Sequence, residues 1–102
     1  MSSESVGDYL RAQNLEQLGR DDEAIELYER AVAARFDSTG PYDRLIALYS
    51  HRALHAEVIR VAEAARANVR THPDKRVWYE DMADAARRAA GAVPPAAPKE
   101  RG

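Results

Sequence analysis

The key apolar positions of one helical segment have apolar counterparts at a fixed spacing further along the chain, and this recurrence constrains the fold more than any other feature of the sequence. In the segment LGRDDEAIELYERAV, a glycine and an acidic cluster precede Ala24, Tyr28 and Ala31. A constant spacing of about 34 residues, which we call the repeat offset, pairs Ala12 with Ile46, Leu15 with Tyr49, Ala24 with Val58, Tyr28 with Ala62, and Ala31 with Ala65. A period of this length indicates a repeated helix–turn–helix unit.

Helical signals extend over most of the chain. Ala, Glu, Arg and Leu are frequent and favour helices, and no segment alternates apolar and polar residues as a β-strand does. Breaks occur at Gly19, at the Gly40–Pro41 pair and at Pro73, where one helix ends or the next begins. We therefore predict an all-α fold with five helices, at about residues 5–18, 21–35, 41–52, 55–71 and 75–90.

Apolar residues at helical spacing form a stripe on each of the last three helices, and each stripe is expected to face another helix. The stripes are Tyr42, Leu45, Ile46 and Tyr49 in the third helix, Val58, Val61, Ala62, Ala65 and Val69 in the fourth, and Trp78, Met82, Ala85 and Ala89 in the fifth. We expect the larger residues of the core, Tyr28, Leu45, Tyr49, Trp78 and Met82, to be buried at contacts between helices.

The repeat resembles the tetratricopeptide-repeat family, whose period has the same length. Gly19 matches the turn glycine of that family, Ala24 and Ala31 match its small residues, and Tyr28 matches its large one. The chain departs from the pattern elsewhere: Asp8 and Arg11 stand where the family has bulky apolar residues, Val58 and Ala62 exchange the small and large positions of the second repeat, and Ala53 stands where glycine would turn the chain.

The resemblance implies antiparallel helix hairpins that stack side by side as a short α-solenoid. Residues 1–90 would form one such domain, with repeat one at about 5–38, repeat two at about 39–72 and a C-terminal capping helix at about 75–90. Small residues would let the two helices of a hairpin approach closely. We expect residues 91–102, which are rich in proline and alanine, to form a disordered tail.

The resemblance also implies a non-catalytic protein–protein interaction module, because members of this family bind peptides or protein segments in a concave groove. The residues placed in the groove are Tyr9, Gln13 and Gln17 from repeat one, Arg44, Ala47 and His51 from repeat two, and Tyr79, Ala83 and Arg87 from the capping helix. Among these we expect Tyr9 and Tyr79 to be exposed aromatic anchors, and Arg44 to bind a carboxylate or a backbone carbonyl.

Composition excludes several other classes of protein. The chain has no cysteine, so it can form neither a disulfide framework nor a thiolate metal site. It shows no secretory signal, and its longest apolar runs are far shorter than the roughly 20 residues that cross a bilayer. We therefore expect a soluble protein in the cytoplasm that does not bind a membrane.

Two alternatives to groove binding remain open. One is self-assembly into a homo-oligomer through exposed helices at the ends of the array. The other is a nucleic-acid-binding regulator, since residues 1–40 carry nine acids and four bases whereas residues 41–102 carry eight acids and eleven bases. The candidate basic patch is Arg60, Arg66, Arg70, Lys75 and Arg76. The overall pI of 5.9 makes nucleic acid the less favoured partner.

The sequence predicts neither an enzyme nor a cofactor. His51 and His55 are four residues apart, but they lie on either side of a predicted turn and no third ligand is close in sequence. Ser50 and His51 are adjacent, and adjacent residues on a helix do not face each other. There is also no phosphate-binding glycine loop and no glycine-flanked nucleophile. We therefore predict no catalytic residue, no metal site and no cofactor.

Overall fold

The computed structural model describes residues 3–92 and contains five helices in this range: α1 (Ser3–Gln17), α2 (Asp21–Ala33), α3 (Gly40–His51), α4 (His55–Asn68) and α5 (Lys75–Ala92). No β-strand occurs among these residues. The predicted all-α fold is therefore confirmed, and each helix lies close to its predicted position.

The end of α5 differs from the prediction. The sequence predicts a tail that begins at Gly91, but α5 continues through Gly91 and Ala92. A glycine near the end of a helix costs only about 1 kcal/mol relative to alanine, and the first proline of this region, Pro94, comes later in the chain. The rest of the predicted tail, residues 93–102, lies outside the described residues.

The turns that close the two helix hairpins have the same backbone structure. Gly19 between α1 and α2 has a φ of 77°, and Ala53 between α3 and α4 has a φ of 57°. In each turn, two amides donate back to carbonyls of the preceding helix, at 3.0 and 2.9 Å in both cases: Gly19 to Glu16 and Arg20 to Leu15, then Ala53 to Ser50 and Leu54 to Tyr49. This pattern is a Schellman cap. The hydrogen bonds of the first turn thus recur in the second turn at positions related by the repeat offset.

Each helix packs mainly against the next one in the chain. The most extensive contacts join α4 to α5 and α1 to α2, followed by α3 to α4 and α2 to α3. Contacts between more distant helices are few. This sequential packing is consistent with helix hairpins that stack side by side.

Small and apolar residues at the predicted positions are buried between the helices. Ala12, Ala24 and Ala31 are fully buried in the first hairpin, as are Ala62 and Ala65 in the second. The stripes predicted for α3 and α4 are confirmed, because every member is buried: Tyr42, Leu45, Ile46, Tyr49, Val58, Val61, Ala62, Ala65 and Val69. Alanines at these positions allow close approach of the helix backbones, as the repeat pattern predicts.

Ion pairs replace apolar contacts at one of the polar positions of α1. Asp8 occupies the position equivalent to Tyr42, and its carboxylate lies 3.3 Å from the guanidinium of Arg30 in α2. Glu4 lies 3.5 Å from the same guanidinium. The guanidinium of Arg30 and the carboxylate of Glu4 are exposed, and ion pairs at the surface contribute between about 0 and 1 kcal/mol each. We therefore expect α1 to depend chiefly on Ala12, Leu15 and Tyr9 for its packing.

The face that α5 presents to the core is not the predicted one. Tyr79, Ala83 and Ala86 are buried, whereas Trp78 is 37% exposed and the other members of the predicted stripe are exposed or half-buried. The small side chains of Ala83 and Ala86 allow the extensive contact between α5 and α4. The predicted burial of Trp78 is therefore wrong, and Met82 is only partly buried at the edge of the core.

Polar contacts between α3 and α5 stabilise the orientation of α5 about its axis in which Tyr79 faces the core; we call the difference from the predicted orientation the rotation of α5. The hydroxyl of Tyr79 donates a hydrogen bond of 2.8 Å to the carboxylate of Asp43, and the ammonium of Lys75 lies 3.1 Å from the same carboxylate. Burial raises the pKa of Tyr79, and the hydrogen bond to Asp43 raises it further. A buried tyrosine hydroxyl needs such a partner, so Tyr79 and not Trp78 turns inward.

The two equivalent turns allow a matched test of backbone strain. Ala53→Gly should raise the free energy of unfolding by about 0.5–1 kcal/mol, because glycine adopts a positive φ without the strain of a β-carbon. Gly19→Ala should lower it by about 1 kcal/mol for the same reason, since a β-carbon at Gly19 meets no other atom within 4 Å. Urea denaturation followed by circular dichroism measures both changes. Equal stability of Ala53→Gly and the wild type would contradict the shared turn geometry.

Candidate functional site

Equivalent exposed positions on α1, α3 and α5 form one candidate surface. Extending the repeat offset from α3 to α5 relates Leu10, Arg44 and Trp78, then Gln13, Ala47 and Asp81, then Gln17, His51 and Ala85. All of these residues are exposed except Gln13, which is half-buried. Within each helix they are three or four residues apart, so they share a side of that helix. We call this surface the groove face.

A polar pocket separates α1 from α3 on the groove face. It has a volume of about 250 Å³ and is lined by Gln13, Glu16, Gln17, Tyr28 and Arg44. Three of the predicted groove residues, Gln13, Gln17 and Arg44, are therefore brought together by the fold. The hydroxyl of Tyr28, from the core, closes the base of the pocket with a hydrogen bond of 2.8 Å to Glu16.

Arg44 already has a carboxylate partner in the pocket. Its guanidinium donates two hydrogen bonds to Glu16, one of them at 3.1 Å. Hydrogen bonding to Arg44 lowers the pKa of the Glu16 carboxyl, and the hydroxyl of Tyr28 adds to this effect. Sequence reasoning assigned Arg44 to a carboxylate or a backbone carbonyl of a partner, but the structure gives it a carboxylate partner within the chain. The pair fixes the position of the guanidinium between the two helices.

Tyr9 supports the polar pocket and is not an exposed anchor. It is half-buried, and its ring centroid lies 6.1 Å from that of Tyr28 and 5.5 Å from that of Phe36. Its ring also covers Gly40, where a β-carbon would come within 2.3 Å of it. The expectation that Tyr9 is a free aromatic residue is therefore corrected, because the ring belongs to the edge of the core.

Two glutamine side chains give the polar pocket its hydrogen-bonding capacity. Gln13 lines the pocket, and its amide nitrogen donates to the hydroxyl of Tyr9 at 3.1 Å. Gln17 is exposed one turn further along α1. A glutamine amide can both donate and accept hydrogen bonds, and the backbone of an extended peptide presents both kinds of group.

The three groove residues predicted on α5 do not lie on the groove face. Tyr79 and Ala83 are buried, so neither can contact a partner in this structure. Arg87 is exposed, but its guanidinium lies 2.6 Å from Glu63 of α4 and 3.1 Å from Asp84. The repeat offset explains the correction, because it aligns Tyr79 with the buried Leu45 and Ala83 with the buried Tyr49.

A second, largely apolar pocket lies between α5 and the α3–α4 hairpin. Its volume is about 180 Å³, and it is lined by Ser50, His55, Val58, Met82, Ala85, Ala86 and Ala89. Ala47 and His51, which sequence reasoning placed in the groove, are exposed on the adjacent α3. The stripe predicted as the core of α5 thus forms a wall of this apolar pocket instead.

Trp78 is the aromatic residue among those on the groove face that sequence reasoning missed; the others are Leu10, Asp81 and Ala85. It lies one turn before Met82 on the same stripe of α5, and its ring packs edge-on against Tyr79 at 5.3 Å. The ammonium of Lys75 lies 3.7 Å from the ring centroid, so one face of the indole is in contact with a cation. The signal that identifies Trp78 is the repeat offset from Arg44.

The described residues hold no cluster of three or more His, Asp or Glu side chains that could bind a metal ion. His51 ends α3 and His55 begins α4, so the two histidines flank the turn as the sequence predicts. None of the helices formed by residues 3–92 combines the length and apolar character needed to cross a membrane.

No protein-family model, no curated protein and no solved structure matches the chain at a significant level. The resemblance to tetratricopeptide repeats therefore stays an expectation from the sequence.

The rotation of α5 predicts unequal effects for two adjacent aromatic residues. Tyr79→Ala should lower the free energy of unfolding by about 3–5 kcal/mol, because it leaves a cavity in the core and removes one of the two partners of Asp43. Trp78→Ala should lower it by about 1 kcal/mol or less, since this side chain is partly exposed. Thermal and urea denaturation followed by circular dichroism compare the two. A larger loss for Trp78→Ala than for Tyr79→Ala would contradict the rotation of α5.

Proposed function

We propose that this chain is a short tetratricopeptide-type array that works as a non-catalytic protein-interaction module in the cytoplasm. Its groove face binds a segment of a protein partner across α1, α3 and α5. The observation that carries this proposal is the exposure of equivalent positions, related by the repeat offset, along three successive helices that border two pockets.

The contrast between the two pockets supports a partner segment of mixed character. The pocket between α1 and α3 offers the amides of Gln13 and Gln17 beside a neutralised Arg44–Glu16 pair. The pocket of α5 offers Met82, Ala85 and Ala89 beside the exposed ring of Trp78. One part of such a segment would bind the polar pocket through its backbone amide and carbonyl groups, and another part would place an apolar side chain in the apolar pocket. Burial of that side chain would supply most of the affinity.

Internal ion pairs weaken the case for nucleic acid. Arg60 lies 2.7 Å from Glu57, Arg66 lies 2.8 Å from Glu63, and Lys75 lies 3.1 Å from Asp43, so three of the five bases of the predicted basic patch have acidic partners within the chain. Phosphate contacts dominate the affinity of proteins for nucleic acids and require a series of free cations along a surface. The groove face also carries the acid Asp81. A protein segment therefore suits this surface better.

Trp78 is the only tryptophan of the chain and gives a direct test of binding. A ligand can be selected from a random peptide library displayed on phage, with the full chain immobilised. Addition of the selected peptide should shift the emission of Trp78 to shorter wavelength, because a bound segment removes water from the indole. Ala85→Glu should lower the affinity for the peptide by about tenfold or more, since it places a charge in the apolar pocket.

Ala90→Glu is the matched control. It adds the same charge to another exposed alanine of α5 that does not line the pocket, so its affinity for the peptide should equal that of the wild type. If Ala85→Glu and Ala90→Glu bind the peptide with equal affinity, the groove face is not its binding site. Sedimentation of the free chain tests the alternative of self-assembly. If the wild type is a dimer and Ala85→Glu is a monomer, this surface is a self-assembly interface.

A further inference from the structure

Another surface cavity lies at the junction of α4 and α5, away from the residues of the groove face. It has a volume of about 420 Å³ and is lined by Arg66, Ala67, Val69, Arg70, Pro73 and Arg76. Three guanidinium groups thus border one opening, which is larger than either pocket of the groove face. A hydrogen bond helps to hold the opening in shape: the backbone amide of Arg70 donates to the carboxylate of Asp37 at 2.7 Å.

The three arginines differ in how far they are neutralised. Arg66 is held by Glu63 at 2.8 Å and by Glu80 at 3.0 Å, and its Nε is buried without a hydrogen-bond partner among the described residues. The side chains of Arg70 and Arg76 are exposed and make no ion pair within residues 3–92. The cavity therefore has one fixed guanidinium and two that are available to a ligand.

The start of α5 adds positive potential to the same opening. Each of the other four helices has an acidic residue in its first turn, whereas α5 has none and begins with Lys75 and Arg76. The amino end of a helix carries a partial positive charge that acids normally complement. Asp74 is the acid closest in sequence, just before the helix, and it is exposed.

We propose that this cavity binds a single phosphate group on a phosphorylated side chain of a protein partner. Arginine forks match the oxygens of phosphate and donate two hydrogen bonds at once. Within the predicted basic patch, the bases without an ion pair among the described residues are Arg70 and Arg76, and both border this cavity, because Arg66, Lys75 and Arg60 are engaged by acids. A nucleic acid would need cations spaced along a track, so a single phosphate is the better match. This site is independent of the groove face.

Titration of the full chain with a short phosphoserine peptide, followed by amide shifts in nuclear magnetic resonance spectra, tests the proposal. Saturable shifts should appear at residues 69–77, and the same peptide with unmodified serine should produce none. Replacing both Arg70 and Arg76 with Gln should weaken binding by about tenfold or more. Circular dichroism should show that this variant is folded, because both side chains are exposed.

Arg88→Gln is the control, since Arg88 is an exposed arginine on the same helix that does not line the cavity. It should bind the phosphopeptide as the wild type does. Shifts that do not saturate, or that persist in the double variant, would overturn the proposal and mean adventitious anion binding only. Tighter binding of a single-stranded oligonucleotide than of the phosphopeptide, with the same residues shifted, would also overturn it in favour of nucleic acid.

Discussion

Each hairpin of this protein depends on one residue in the left-handed backbone conformation at its turn. Gly19 and Ala53 have positive φ, which lets the next amide bond back to a carbonyl five residues earlier and reverses the chain within two or three residues. The reversal places the small residues of one helix against the next, so that Ala12, Ala24 and Ala31 are fully buried. Without this geometry the apolar stripes of neighbouring helices would have no common interface. Ala53 adopts this conformation although its β-carbon makes a positive φ unfavourable.

The sequence predicts the helices, their order and most of the core, because periodicity within a helix and the breaks at Gly19, Gly40 and Pro73 are local signals. It fails for the face of α5. Trp78 is larger and more apolar than Tyr79, so a stripe chosen by hydrophobicity selects Trp78. In the structure it is Tyr79 that is buried, and its hydroxyl donates a hydrogen bond to Asp43 on a distant part of the chain. Carrying the repeat offset one step further aligns Tyr79 with Leu45 and corrects the error from sequence alone.

The positions of the candidate site residues follow from the sequence in part. Gln13, Gln17, Arg44, Ala47 and His51 lie on the groove face that the repeat offset defines, and the binding of a partner there stays a prediction. Tyr9 does not lie on this face, because its ring fills the space above Gly40, where a β-carbon would require the ring to move. The pairing of Arg44 with Glu16 also could not be read from a helix-by-helix analysis, since the two residues are 28 positions apart. Side-chain partners across helices, unlike helical faces, depend on the tertiary arrangement.

The chain repeats one helix hairpin, closed by one kind of turn, at the interval that the repeat offset defines. Hydrogen–deuterium exchange resolved to single amides tests this repetition most directly. The amides of Arg20 and Leu54 follow a helix and would exchange rapidly in an irregular loop, but here each is bonded at 2.9 Å to the carbonyl of Leu15 or Tyr49. We predict that both are protected, to a degree close to that of the helices they follow. Exchange of either amide at the rate of an unprotected peptide would contradict the repeat.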